Sequence, residues 1–85
     1  MTVNLLYFAW VREKIGRSGE SLELPADVVT VADLVAWLVA RGPEYAEAFA
    51  RPELVRAALD QTHVKPSAPL GDALEIAFFP PVTGG

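Results

Sequence analysis

Thr30-Val31-Ala32-Asp33-Leu34-Val35-Ala36-Trp37-Leu38-Val39 carries both a start signal and a single apolar stripe. Thr30 suits an N-cap, and Asp33 at the third helical position can reach back to the cap backbone, an Asp variant of the capping box. Val31, Leu34, Val35, Leu38 and Val39 recur at helical spacing, so one side of this helix faces a core. Arg41 falls in the last turn and Gly42-Pro43 then stop the helix. Valine at 31, 35 and 39 lowers the intrinsic helix propensity, so packing must hold the segment.

The flanking segments supply what this helix packs on. Val3-Asn4-Leu5-Leu6-Tyr7-Phe8 reads as a short strand, apolar on both faces, which suits a central position covered once by a helix and once by something else. Trp10 to Ile15 form a turn or two of helix closed by Gly16, and Arg17-Ser18-Gly19 a loop. Ser21-Leu22-Glu23-Leu24 alternates before Pro25 and reads as a second strand, hairpin-paired to the first. After the main helix, a short helix from Pro43 or Glu44 to about Ala50 turns Tyr45, Ala48 and Phe49 inward, and Arg51-Pro52 ends it. Leu54 to Leu59 is compatible with helix or strand. A strand over Val55–Leu59 is favoured, because Asp60-Gln61 reads as a turn from which Thr62-His63-Val64 pairs back. Pro66, Ser67 and Pro69 make the next stretch irregular. Leu74, Ile76 and Phe78 then alternate with Glu75, Ala77 and Phe79 in a last strand that stops at Pro80. Hairpin, crossover helix and return strand predict an α+β roll, a mixed sheet with its helix on one face and the first and last strands central and parallel.

Composition bounds the function. The 85 residues, 52% apolar and 21% charged, make one folded domain, and some of that apolar surface is available to a partner. No stretch approaches the roughly 18 apolar residues of a membrane span, and no signal segment precedes the first strand, so a cytoplasmic protein without a membrane partner is expected. The chain has no cysteine, which removes disulfides, thiolate metal sites and a cysteine nucleophile. Its net charge of −4, with lysines and arginines dispersed singly, argues against nucleic acid and favours a basic surface on a partner. His63 is the sole histidine, expected in a solvated or core-edge role, and no set of ligands predicts a metal site. Trp10, Trp37 and Phe49 read as packing residues, Asp60 and Asp72 as turn residues, and Glu13, Glu20 and Glu23 as a solvated surface. Lys65 reads as a solvated lysine within reach of a partner.

The chemistry concentrates in Phe78-Phe79-Pro80-Pro81-Val82-Thr83-Gly84-Gly85. Phe79 lies on the side of the last strand opposite Ile76 and Phe78, so it points away from the core. Pro80-Pro81 forbids further strand pairing and favours stiff, extended backbone. Residues 1–79 are therefore read as the domain and 80–85 as an extended, flexible tail that spans at most about 20 Å. Glycine at 84 and 85 suits a narrow channel, because any side chain would widen the thread. A carboxylate at Gly85 is inert toward nucleophiles until activated, most simply as a mixed anhydride with a nucleotide phosphate. Gly16-Arg17-Ser18-Gly19 is neither a P-loop nor a dinucleotide fingerprint, so no cofactor is expected on this chain and activation must come in trans from an ATP-binding enzyme.

Leu6-Tyr7-Phe8-Ala9-Trp10-Val11-Arg12-Glu13-Lys14-Ile15-Gly16 and Ile76-Ala77-Phe78-Phe79-Pro80-Pro81-Val82-Thr83-Gly84-Gly85 closely resemble the molybdopterin synthase small-subunit family, and the resemblance covers essentially the whole chain. It implies a ubiquitin-like β-grasp fold and a sulfur-carrier role. Gly85 would be adenylated by a ubiquitin-activating-like enzyme, converted to a thiocarboxylate, and inserted into the large subunit to donate sulfur to precursor Z. Gly84 is then the slender lead-in, and Phe79, Pro80, Pro81, Val82 and Thr83 match the segment at the subunit interface. The resemblance places the catalytic groups on the large subunit and implies a heterotetramer of two small and two large subunits. Two turns depart from the family pattern: Gly71-Asp72-Ala73-Leu74-Glu75, where Asp-Gly-Asp-Glu is common, and Asp60-Gln61, where Asn is frequent. Three other readings of the Gly-Gly end stay open: a ubiquitin-like modifier conjugated through Gly85, a thiazole-forming sulfur carrier, and a plain interaction module.

Overall fold

In the computed structural model, residues 1–81 are described. A five-stranded sheet has the order β2-β1-β5-β3-β4, with β1 at Thr2–Tyr7, β2 at Gly19–Glu23, β3 at Arg56–Leu59, β4 at Thr62–Val64 and β5 at Glu75–Phe79. β1 and β5 run parallel and adjacent, while the β1–β2, β3–β5 and β3–β4 pairs are antiparallel. Helices α1 (Ala9–Ile15), α2 (Val31–Val39) and α3 (Pro43–Ala48) complete the fold with a single 3₁₀ turn at Pro52–Leu54. The sheet grips α2 from one side, the mixed α+β roll that the order of the segments predicts.

The helix at Thr30 forms for the reasons its sequence carries. The Thr30 hydroxyl accepts the Asp33 N–H at 3.1 Å, and the Asp33 carboxylate accepts the N–H groups of Thr30 and Val29, each at 3.0 Å. Those backbone bonds hold the Asp33 carboxyl below its ordinary pKa. Val31, Leu34 and Leu38 are buried, and Val35 and Val39 pack at the margin of the core. The Pro66–Pro69 stretch is irregular but not idle: the Val31 and Ala32 N–H groups donate to the Ala68 and Pro66 carbonyls, at 3.1 and 2.9 Å, and so anchor the first turn of α2.

The core lies between the helices and one face of the sheet. Val3, Leu5 and Tyr7 of β1 and Ile76 and Phe78 of β5 meet Val11, Ile15, Leu34, Leu38, Tyr45 and Phe49 there. The Phe78 ring lies 6.3 Å from Tyr7 in a stacked arrangement and 5.1 Å from Phe49 edge-on. Gly16 ends α1 at φ 86°, a left-handed position that strains any residue with a Cβ.

Three expectations shift. β1 stops at Tyr7 because Phe8 serves as the N-cap residue of α1, its N–H donating to the Phe78 carbonyl at 3.1 Å. Leu74 does not share the core face with Ile76 and Phe78. It is 70% exposed, because β5 begins only at Glu75 and the alternation starts there. Glu20 is not part of a solvated surface. Its register opposite Leu5 turns it inward, where its side chain is 8% exposed and accepts hydrogen bonds from the hydroxyls of Tyr7, at 2.8 Å, and Tyr45. Arg17 and Arg41 lie 2.9 and 3.5 Å from the same carboxylate. Burial raises its pKa, but the two tyrosine hydrogen bonds and the two guanidinium charges outweigh that and leave it lowered. Burial, and then hydrogen bonding to Glu20, push both tyrosines up.

Candidate functional site

Period-two alternation decides which side chains β5 offers to a partner. Ile76 and Phe78 enter the core, so Glu75, Ala77 and Phe79 face the other side of the sheet. The register carries that face across the neighbouring strands. Leu6 of β1 and Ala58 of β3 both stand opposite Ala77, His63 of β4 stands opposite Ala58, and Arg56 stands opposite Phe79. Phe8, just past β1, extends the patch and is 47% exposed. The three helices all pack on the opposite face, so among the described residues nothing lies over this one.

The result is a shallow depression of about 480 Å³ bounded by Leu6, Phe8, Ala58, His63, Ala77 and Phe79, with Gln61 and Glu75 at its far end. Its floor is the small side chains of Ala58 and Ala77, 5% and 8% exposed, and its walls are the larger rings. The His63 and Phe79 ring centroids are 5.0 Å apart. This is apolar surface of the kind that marks a protein contact rather than a solvated sheet.

Phe79 is thus half-buried on the outer face, at the point where β5 ends, and Pro80 and Pro81 continue from it outside any strand. Val82, Thr83, Gly84 and Gly85 lie outside the described residues. His63 sits on the exposed edge strand, and its neighbourhood with Phe79 was not legible from spacing alone. The cross-strand register was the missing information, since it depends on the turn at Asp60-Gln61. That turn places both residues at positive φ, 47° and 73°, the geometry of a two-residue type I′ hairpin. The Asp60 carboxylate accepts the N–H groups of Leu74 and Glu75, at 3.0 and 2.9 Å, and ties the hairpin to the start of β5.

The chemistry available on the domain is that of recognition. Glu20, the one inward-facing carboxylate among the described residues, is engaged by two hydroxyls and two guanidinium groups. Among the described residues, no group of three or more His, Asp or Glu is placed to hold a metal ion, and no helix is long and apolar enough to cross a membrane.

Comparison with known proteins agrees with this geometry. The ThiS family matches residues 5–85. The molybdopterin synthase sulfur carrier subunit of Escherichia coli (strain K12) is 42% identical over 83 residues, which cover 98% of this chain and 99% of the relative. The protein of the same description from Haemophilus influenzae is 36% identical over 83 residues, with the same coverage. Among solved structures, a putative molybdopterin converting factor, subunit 1, from Pyrococcus furiosus superposes with a TM-score of 0.75 at 27% identity, covering 96% of this chain and 99% of that one. The H. volcanii small archaeal modifier protein 1 shares the fold with a TM-score of 0.71 at 19% identity, over 95% of this chain and 98% of that one. A family match from residue 5 to residue 85, with relatives similar along nearly their whole length, makes this chain a β-grasp member of the ThiS family.

Proposed function

We propose that this chain is the sulfur-carrier subunit of a molybdopterin synthase, acting in molybdenum cofactor biosynthesis. The observation that carries the reading is the near-full-length similarity to two relatives of that description, the nearer of these two at 42% identity. The apolar face around Phe79, uncovered among the described residues, supports it, because a carrier must dock before its terminus can react.

In this reading the domain is the handle and Gly85 the working group. An activating enzyme that binds ATP joins the Gly85 carboxylate to AMP, with pyrophosphate leaving. Hydrosulfide-level sulfur then attacks the acyl carbon and displaces AMP to give a thiocarboxylate. The sheet face, with Phe79 and Pro80-Pro81, seats on the large subunit, and Val82, Thr83 and Gly84 lead Gly85 into its active site. There the thiocarboxylate sulfur attacks a carbon of precursor Z as an oxygen leaving group departs, and water then hydrolyses the S-acyl bond, leaving the sulfur on the product and giving back the glycine carboxylate. This chain supplies no catalytic group to that step; its contribution is positioning, which raises the local concentration of the sulfur atom. A complex of two small and two large subunits in the cytoplasm completes the proposal.

Reconstitution with the large subunit tests it. Deleting Gly85, or adding one residue after it, is expected to abolish molybdopterin formation while leaving the melting temperature within about 2 °C of wild type, since terminal residues contribute little to the core. Normal product formation by the extended variant would refute the role of Gly85.

A further inference from the structure

The acidic total charge of the chain hides a local exception at the margin of the docking face. Net charge is −4. Among the described residues, Lys14, Arg17, Arg41 and Arg51 form ion pairs with Glu47, Glu20, Glu20 and Glu53. Arg12, Arg56 and Lys65 form none among the described residues and are all exposed; Arg12 lies on α1, on the helix side of the sheet, so only Arg56 and Lys65 stand at the margin of the docking face. These two occupy the same corner: with His63 they line one surface depression at the β3–β4 edge. Arg56 stands directly opposite Phe79, and Lys65 follows Val64, the partner of Ala57, so alternation returns it to the outer face beside Arg56.

The far end of the same face has the opposite sign. Glu75 sits two residues before Ala77 on β5, and Asp60, in the turn that follows β3, holds its carboxylate on the Leu74 and Glu75 N–H groups beside it. A patch with an apolar centre, cations beside Phe79 and carboxylates at the other end has a direction. That direction is aligned with the end of β5 from which the tail departs.

Resting on the docking reading above, we propose that Arg56 and Lys65 form a cationic margin that pairs with carboxylates on the large subunit, beside the mouth that receives the tail. The apolar centre supplies the contact area, and the charges at its two ends fix the orientation, rejecting the reversed placement in which Glu75 and Asp60 would meet the partner's acids. The partner of an acidic chain is thus required to be acidic, not basic, at this one point.

The experiment measures the dissociation constant of the full chain for the purified large subunit at low and at high salt. The variants are wild type, the double reversal Arg56→Glu with Lys65→Glu, the neutral pair Arg56→Gln with Lys65→Gln, and Phe79→Ala. The double reversal is expected to weaken binding at least tenfold at low salt, the neutral pair by less, and both differences to shrink as salt screens the charges. Phe79→Ala is expected to weaken binding at every salt concentration. A double reversal that binds like wild type at low salt, or that is weakened equally at all salt concentrations, overturns the cationic margin. If Phe79→Ala is still weakened then, the docking face itself stands. Wild-type binding by Phe79→Ala as well overturns the face.

Discussion

Glu20 and Phe79 show how far a single side chain can be read from its neighbours in sequence. Leu22 and Leu24 alternate with Ser21 and Glu23, and the same alternation run backward turns Glu20 inward. The signal was present, but the presence of Tyr7 and Tyr45 to receive that carboxylate depends on the β1–β2 register and the placement of α3. Because its folded pKa is lowered, the contribution of Glu20 to stability is complete above its unfolded pKa of about 4.3 and is lost as the pH falls through the folded value. Glu20→Gln is therefore expected to cost about 2 kcal/mol at neutral pH, or roughly 10 °C in melting temperature, and to converge with wild type in acid. Thermal melts of the two proteins from neutral pH down into the acid range check this; a constant difference across that range would contradict it. Both tyrosines are raised, so their contribution is present below about pH 10 and lost as the pH climbs through their folded values. Phe79 was legible in full as regards its face. Phe79→Ala is expected to weaken large-subunit binding by tenfold or more while costing about 1 kcal/mol in folding, since the ring is only half-buried. Equal binding with a lowered melting temperature would show that the ring serves the domain and not the interface.

At the scale of elements, local chemistry defined those whose ends carry caps. Thr30 and Asp33 mark the start of α2 without any tertiary information, and Gly16 marks the end of α1. β3 was ambiguous because Ala57, Ala58 and Leu59 have no strong β preference, and what makes them a strand is pairing to β5 on one side and β4 on the other. The Asp60-Gln61 turn was visible as a turn but not as one with two left-handed residues. Gln61 at φ 73° is strained in a way glycine is not. Gln61→Gly is accordingly expected to stabilise the protein by about 0.5–1 kcal/mol, a gain of several degrees in melting temperature. A lower melting temperature for this variant would mean that the hairpin does not depend on the type I′ geometry.

The whole molecule divides its labour between two faces of one sheet. One face is filled by three helices and holds the fold together; among the described residues the other is left open, with apolar rings beside the end of β5, after which Pro80 and Pro81 follow. That division was partly legible, because a chain with apolar residues on both sides of its first and last strands needs two coverings and contains helices for only one. The sign of the charge around the open face was not legible, since total composition points to a basic partner and only the strand register brings Arg56, His63 and Lys65 together. The central claim, that Gly85 carries sulfur, is tested most directly by the intact mass of the protein isolated from its native cell. The account predicts a fraction in which one oxygen at Gly85 has been replaced by sulfur. A population with no such exchange, in which Gly85 is instead found joined to lysines of other proteins, would contradict it.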